Sequence, residues 1–322
     1  MSARAGSLRA SNRPASSRRT RAIGGVSLSD LKAALSDRAG AVEDFLQTLL
    51  PSGNGPESRL FDAMRYSTMA GGKRLRPFLL VSAADLFAVP RRSSLRAAAA
   101  VEMLHTYSLV HDDLPCMDDD DLRRGQPTAH VKFDEATAVL AGDSLLTMAF
   151  EVLSDPETDA NPAVRVELVS GLAKAAGAQG MCGGQMIDLL AENDDPDREA
   201  VERLQAMKTG ALITFSCEAG AILGHASPEE RQALRTYGDK LGLAFQIADD
   251  LLDAEGSAED MGKAVGKDQD AGKATMVGLL GVETAREEAE RLIADAVLQL
   301  DLFGENAMLL REVAAFAIRR RT

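Results

Sequence analysis

The sequence predicts an all-α protein, a single large domain of long antiparallel helices around a central cavity. Ala and Leu abound, while aromatics make up only 4% of the chain and Trp is absent. That balance favours helices, since strands draw on aromatic and β-branched residues. Apolar residues recur at spacings of three and four, and no stretch alternates with the period of a strand. The breaks between periodic stretches carry Pro, Gly and Asp.

Residues 1–26 stand apart. They hold Arg4, Arg9, Arg13, Arg18, Arg19 and Arg21, and no acid precedes Asp30. Such a stretch buries no core and reads as a disordered basic extension. Its Arg- and Ser-rich composition also resembles an organelle transit peptide. A plain bacterial-type extension or a misassigned start codon is the simpler reading. The folded domain is expected over 27–322. Ser29 precedes an apolar stripe of Leu31, Leu35, Val42, Phe45, Leu46 and Leu49, which Pro51 and the following Gly-rich run stop. Further helices are expected over about 57–70, 76–88, 93–114, 134–154, 162–178, 181–192, 197–224, 228–254, 283–302 and 306–320. Pro90, Asp155-Pro156, Asp194-Asp195-Pro196 and Ser227-Pro228 separate several of them. No apolar run approaches the roughly 18 residues that span a bilayer, so no stable membrane insertion is expected.

The net charge of -13 argues against a nucleic-acid or anionic-membrane surface. Cys116, Cys182 and Cys217 show no CxxC spacing, and the four His show no metal-ligand pattern. A disulfide framework or zinc site is not expected, and a reduced, cytoplasmic setting fits, with organelle import left open by the N-terminus.

The chemistry concentrates in three places. One acidic segment runs Asp112-Asp113-Leu114-Pro115-Cys116-Met117-Asp118, followed by Arg123 and Arg124. A second runs Asp249-Asp250-Leu251-Leu252-Asp253. Ahead of both lies Gly71-Gly72-Lys73-Arg74-Leu75-Arg76-Pro77. Carboxylates this dense repel one another and drift towards protonation unless a cation joins them. Oxygen-only ligands suit magnesium, which binds through a few carboxylates, waters and substrate phosphates. Lys and Arg would hold the remaining phosphate oxygens. Basic residues near a helix start oppose the helix dipole, which points to an anion bound there. On a helix Asp249 and Asp253 share a face, with Asp250 beside them. Asp112 and Asp118 are six apart, and Pro115 between them forces a bend that could return Asp118 towards Asp112. An acidic run such as 118–121 is by itself a solvated face; two such clusters within apolar helices are not.

These segments resemble the two aspartate-rich motifs of the trans-prenyltransferase family, the short-chain polyprenyl diphosphate synthases. GGKRLRP, the first motif, Gly183-Gly184-Gln185, Lys208-Thr209-Gly210, the second motif, Gly262-Lys263 and Lys273 follow the family order. The likeness runs from about residue 30 to the end and is strongest with the bacterial and plastid short-chain group. It implies that isopentenyl diphosphate is condensed with dimethylallyl and geranyl diphosphates to farnesyl diphosphate, in a homodimer. Asp112, Asp118, Asp249 and Asp253 would hold magnesium, with Asp113 and Asp250 in support. Arg123, Lys208, Lys263 and Lys273 would grip the allylic diphosphate. Lys73, Arg76, His105 and Arg124 would hold isopentenyl diphosphate, and Thr209 and Gln246 would face the reacting carbon. Gln185 and Asp188 share a helical face and are candidate cavity residues. Tyr107 and Ser108, five and four residues before Asp112, fall where the family sets chain length. A bulky residue at 107 with the Pro115-Cys116 insertion goes with a fifteen-carbon limit. Here Thr275 is followed by Met276 and Val277 rather than the family's usual Tyr-Pro, and the basic tail Arg319-Arg320-Arg321 is either a closing element or a helix-dipole complement. Three alternatives stay open: a twenty-carbon synthase, a terpene cyclase and a silent partner subunit. A cyclase has no use for GGKRLRP, and silent subunits typically lose one aspartate motif.

Overall fold

The structure, a computed structural model, describes residues 28–191, 197–255 and 275–319. It is all-α, as expected. The order is α1 (Leu28–Leu49), α2 (Ser58–Thr68), α3 (Leu75–Asp85), α4 (Arg91–Asp112), α5 (Ala129–Lys132), α6 (Glu135–Ser154), α7 (Pro162–Ala176) and α8 (Met181–Ala191). Then α9 (Arg198–Gln205) runs through a π turn at Ala206–Gly210 into α10 (Ala211–Leu223). The rest is α11 (Pro228–Glu255), α12 (Met276–Leu280), α13 (Val282–Gln299), a 3₁₀ segment (Leu300–Ala307) and α14 (Met308–Arg319). The expected boundary near residue 26 lies outside the described residues.

Local chemistry sets several starts. Asp134, Asn161, Asp197 and Thr275 each accept a bond from a backbone N–H of the first turn that follows. Ser227 and Glu230 bond each other's backbone reciprocally, and Pro228 opens α11 where its missing N–H costs nothing. In the middle of α4, residues Ala97–Val101 are fully buried. Their small side chains let α3, α6 and α10 crowd around one helix. α11 is flanked by α10 and α13. The core falls into two clusters, one around α4 and one around α11. Each wholly buried Leu, such as Leu80, Leu104, Leu145 or Leu241, contributes roughly 1.5–3 kcal/mol.

The structure departs from the expected elements in four ways. The helix over 197–224 is continuous, but its turn across Lys208 and Thr209 is a π turn. The 119–134 region holds a two-residue antiparallel ladder, Leu122–Arg123 with Gln126–Pro127, and the one-turn α5. Both are too short to show a period. The five-residue α12 escapes notice for the same reason. Finally, α6 is apolar and long enough to cross a membrane by composition, although Asp143 and several hydroxyls interrupt any continuous run. It packs on α4 and α2 as a core helix.

Close packing makes one glycine testable. A Cβ at Gly220 would sit 2.5 Å from Ala84 N and 2.6 Å from Ala83 Cβ, so α10 and α3 would have to part. Gly220→Ala is expected to cost about 1–3 kcal/mol in urea denaturation. Gly40→Ala, with nothing within 4 Å, should be neutral or stabilising by up to about 1 kcal/mol. Equal stability of the two variants would contradict this packing.

Candidate active site

α4 ends at Asp112 because Pro115 cannot continue it. The chain turns tightly, with Leu114 N donating to His111 O and Met117 N to Leu114 O. Asp118 N then donates to Asp112 O at 2.8 Å. The bend thus returns Asp118 to Asp112, as the spacing suggested. Burial pushes the Asp112 carboxyl up to about 6; Lys208 opposes that shift and Asp118 adds to it. Asp113 points elsewhere: it is buried, and Arg123 donates to its Oδ1 from Nε at 2.6 Å and Nη2 at 2.5 Å. Arg123 also lies 3.7 Å from Asp120.

The basic loop is anchored by Arg74, which adopts a left-handed φ of 46° at the start of α3. Its buried guanidinium reaches Glu102 at 2.5 Å, Glu43 at 3.1 Å and the carbonyl of Thr68 at 2.7 Å. In the first turn of α3, Arg76 Nη1 donates to His105 Nε2 at 3.3 Å. His105 is kept neutral: burial lowers its pKa most, followed by Arg76, Arg124, Arg123 and Arg74. Arg124 donates to the carbonyl of Gly71, and a Cβ at Gly72 would lie 2.5 Å from its guanidinium carbon. Gly72, with a φ of 123°, is needed both for the turn and for that approach. Arg76, Arg124 and His105 therefore form one basic corner. Arg76 Nε is buried with no hydrogen-bond partner among the described residues.

The opposite wall comes from α8, the π turn and α11. Gly238, Gly242, Gln246 and Asp250 fall at four-residue intervals on one face of α11. A Cβ at Gly238 would lie 2.7 Å from Thr214 Cα, and one at Gly242 would lie 2.9 Å from Gly210 Cα. The two helices thus touch backbone to backbone, and the next turn sets Gln246 against the π turn. Thr209 Oγ1 donates to Gln246 Oε1 at 3.0 Å, and Gln246 Nε2 donates to Asp250 Oδ1 at 3.1 Å. Gln205 Nε2 holds the other oxygen of this buried carboxylate at 2.9 Å. Asp249 and Asp253 lie on the neighbouring, partly exposed face, and Asp249 acts electrostatically on Arg76. Lys208 Nζ meets Asp188 Oδ2 at 2.5 Å. A Cβ at Gly184 would overlap Lys208 N, which is how α8 comes so near.

A cavity of about 460 Å³ joins these parts. Arg76, His105, Asp112, Lys208 and Thr209 line it, together with Tyr107, Ser108, His111, Cys182, Gln185, Met186 and Leu189. Lys73, expected beside Arg76, instead lines a second cavity of about 480 Å³ with Glu43, Phe245 and Phe316. Lys263 and Lys273 lie outside the described residues. Among the described residues no three His, Cys, Asp or Glu side chains form a ready metal cage. Asp112, driven towards protonation by burial and by the nearby charge of Asp118, forms with Asp118 a donor set that a divalent cation would relieve. Sequence reasoning missed the Asp188–Lys208 and Gln205–Asp250 pairs, and His111 and Cys182 on the cavity wall; the glycines at 184, 238 and 242 were the available signal.

The polyprenyl synthetase family model matches residues 57–302. A farnesyl diphosphate synthase of Bacillus subtilis (strain 168) is 46% identical over 279 residues, 84% of this chain and 94% of that protein. One from Escherichia coli (strain K12) is 44% identical over 297 residues, 90% and 97% of the two chains. The apo crystal structure of an FPP/GFPP synthase from Zymomonas mobilis superposes with a TM-score of 0.82 at 46% identity, covering 90% of this chain and 99% of that one. The chain belongs to the polyprenyl synthetase family.

The Asp112 shift carries a stability consequence. A carboxyl whose folded pKa is about 6 against an ordinary 3.8 loses stability for the fold as pH rises from about 4 to 6, and the full cost applies above that range. In EDTA, Asp112→Asn is therefore expected to be more stable than the parent at pH 7.5, by at most about 3 kcal/mol, and level with it near pH 4. Melting curves at the two pH values test this; a gap that did not change with pH would refute it.

Proposed function

We propose that this chain is a magnesium-dependent prenyltransferase that joins isopentenyl diphosphate to dimethylallyl and geranyl diphosphates, yielding farnesyl diphosphate and diphosphate. One observation carries the reading. A single apolar cavity runs from a basic corner, Arg76 with His105, past Asp112, Lys208 and Thr209. Two anionic substrates could sit there side by side, one on each set of cations.

Asp112, Asp118, Asp249 and Asp253 are the residues that would hold magnesium. When bound, the metal neutralises charge on the diphosphate leaving group. Asp113 positions Arg123, and Asp250 positions Gln246 and through it Thr209. Lys208 exchanges Asp188 for an allylic phosphate oxygen, with Arg123, Lys263 and Lys273 on the same group. Arg76, Arg124 and neutral His105 hold the isopentenyl diphosphate. Two unit charges about 4 Å apart interact by roughly 4 kcal/mol at an effective dielectric near 20, so a few such contacts change an ionisation barrier greatly. The allylic C–O bond breaks, the isopentenyl double bond attacks the cation, and the proton leaves to the departing diphosphate. The Met and Leu side chains lining the cavity keep water from the cation.

Tyr107, only 8% exposed on the cavity wall, supports a fifteen-carbon product over a twenty-carbon one. Leu140 on α6 and Val166 on neighbouring α7 are exposed at 55% and 67%, which supports a homodimer through these helices. Three unpaired cysteines fit a reducing, cytoplasmic setting.

EDTA should abolish turnover, and Asp112→Ala or Asp249→Ala should lower it by about two orders of magnitude or more; full activity in EDTA would sink the proposal. Arg76→Ala should raise the KM for isopentenyl diphosphate far more than that for the allylic substrate, and equal effects would dissolve the two-subsite assignment. Tyr107→Ala should lengthen the products, read by chromatography after dephosphorylation.

A further inference from the structure

Tyr107 does not stand across the cavity by packing alone. Its hydroxyl lies 3.3 Å from the Sγ of Cys182, across the gap between α4 and α8. Its ring meets the imidazole of His111 edge-on, with centroids 5.4 Å apart and planes at 87°. His111 is itself fixed: Nε2 donates to the carbonyl of Val139 on α6 at 3.0 Å. A Cβ at residue 142 would overlap that imidazole, so α6 accommodates the ring only because Gly142 stands there. Tyr107 is thus held from two sides, by Cys182 on α8 and by His111, which α6 fixes. All three side chains line the same cavity.

A phenol ring at the end of one rotatable χ1 bond can swing aside for a growing tail unless its tip is tied. The thiol is a weak partner in either direction. Tied between α8 and His111, the ring has little freedom to move.

We propose that Cys182 is a product-length residue of this chain: its thiol, with the imidazole of His111, holds the Tyr107 ring across the cavity where the prenyl tail must stop. The proposal rests on the reading of Tyr107 as the cavity floor. It assigns the limit to a clamp between helices rather than to the bulk of one side chain. A clamp and a simple wall behave differently under substitution. If Cys182 acts only through its volume, Cys182→Ala lengthens the product and Tyr107→Phe, which keeps the ring, does nothing. If the thiol–hydroxyl bond is what matters, the two changes remove the same contact.

The experiment is product analysis on the full chain, with dimethylallyl and isopentenyl diphosphates and magnesium, for five variants. Cys182→Ala and Tyr107→Phe should each raise the ratio of twenty- to fifteen-carbon product by about three-fold, the size expected from losing one weak hydrogen bond. The double variant should go no further than the larger single change. Cys182→Ser, which keeps a hydrogen-bonding group, should stay near the parent ratio. Because the readout is a ratio among products, it reports only on molecules that fold and turn over. An unchanged ratio in Tyr107→Phe, or additive effects in the double variant, would overturn the clamp while leaving Tyr107 as a steric floor. An unchanged ratio in Tyr107→Ala would overturn the floor and the clamp together, and no prenyl product from the parent would instead overturn the proposed function.

Discussion

The buried ion pair between Arg74 and Glu102 holds the charged end of the cavity together. Two charges taken out of water are costly singly and tolerable only as a hydrogen-bonded pair. Arg74 has its guanidinium filled by Glu102, Glu43 and the Thr68 carbonyl, so α1, α2, α3 and α4 meet at one side chain. Its left-handed backbone at the mouth of α3 fixes the path of the Gly71-Gly72 turn. That path presents the Gly71 carbonyl to Arg124 and sets Arg76 beside His105. Arg74 is neutralised by acids of the fold, whereas Arg76 and Arg124 keep charge to spare. The division is what makes a scaffold out of one arginine and a binding corner out of its neighbours.

On the far wall the constraint is steric rather than electrostatic. Backbone contact at Gly238 and Gly242 brings α11 so close to the π turn that Gln246 and Asp250 can bond across it. A π turn widens the helix by one residue and turns side chains that an α-helix would place elsewhere. Lys208 and Thr209 both ride on it. Gln205, just before the turn, closes the arrangement by taking the second oxygen of Asp250. Thr209, Gln246, Asp250 and Gln205 are tied to one another in sequence, so their geometry does not depend on flexible side chains finding their own place.

The helices were legible because apolar spacing and Pro or Gly breaks are local signals. The return of Asp118 was legible too, since Pro115 rules out a straight helix between two acids six residues apart. The helical period placed Asp249 and Asp253 on one face of α11 with Asp250 beside them; the structure turns Asp250 inward, to Gln246 and Gln205. What the sequence could not display were partners far apart along the chain, such as Lys208 with Asp188 or Arg74 with Glu102. Nothing in GGKRLRP tells that Arg74 turns inward and Lys73 towards a second cavity; a run of basic residues looks uniform until burial separates its members. The π turn leaves no periodic trace, because one widened turn shifts the pattern by less than a boundary error.

The cavity is not arranged for stability. Asp112 is forced towards protonation, His105 is held neutral among arginines, and Arg76 Nε, Gln185 Nε2 and Gln205 Oε1 are buried without partners among the described residues. Native interiors seldom leave such groups unmet, and each costs about 1–3 kcal/mol. Asp112, His105, Arg76 and Gln185 all line one cavity, whose walls are core helices. The excess on each side has opposite sign: carboxylates short of a cation at Asp112, guanidinium groups short of an anion at Arg76 and Arg124. A diphosphate carrying a divalent metal supplies both at once, which neither free phosphate nor free metal can do. The low dielectric that makes these groups costly also strengthens their attraction for such a ligand.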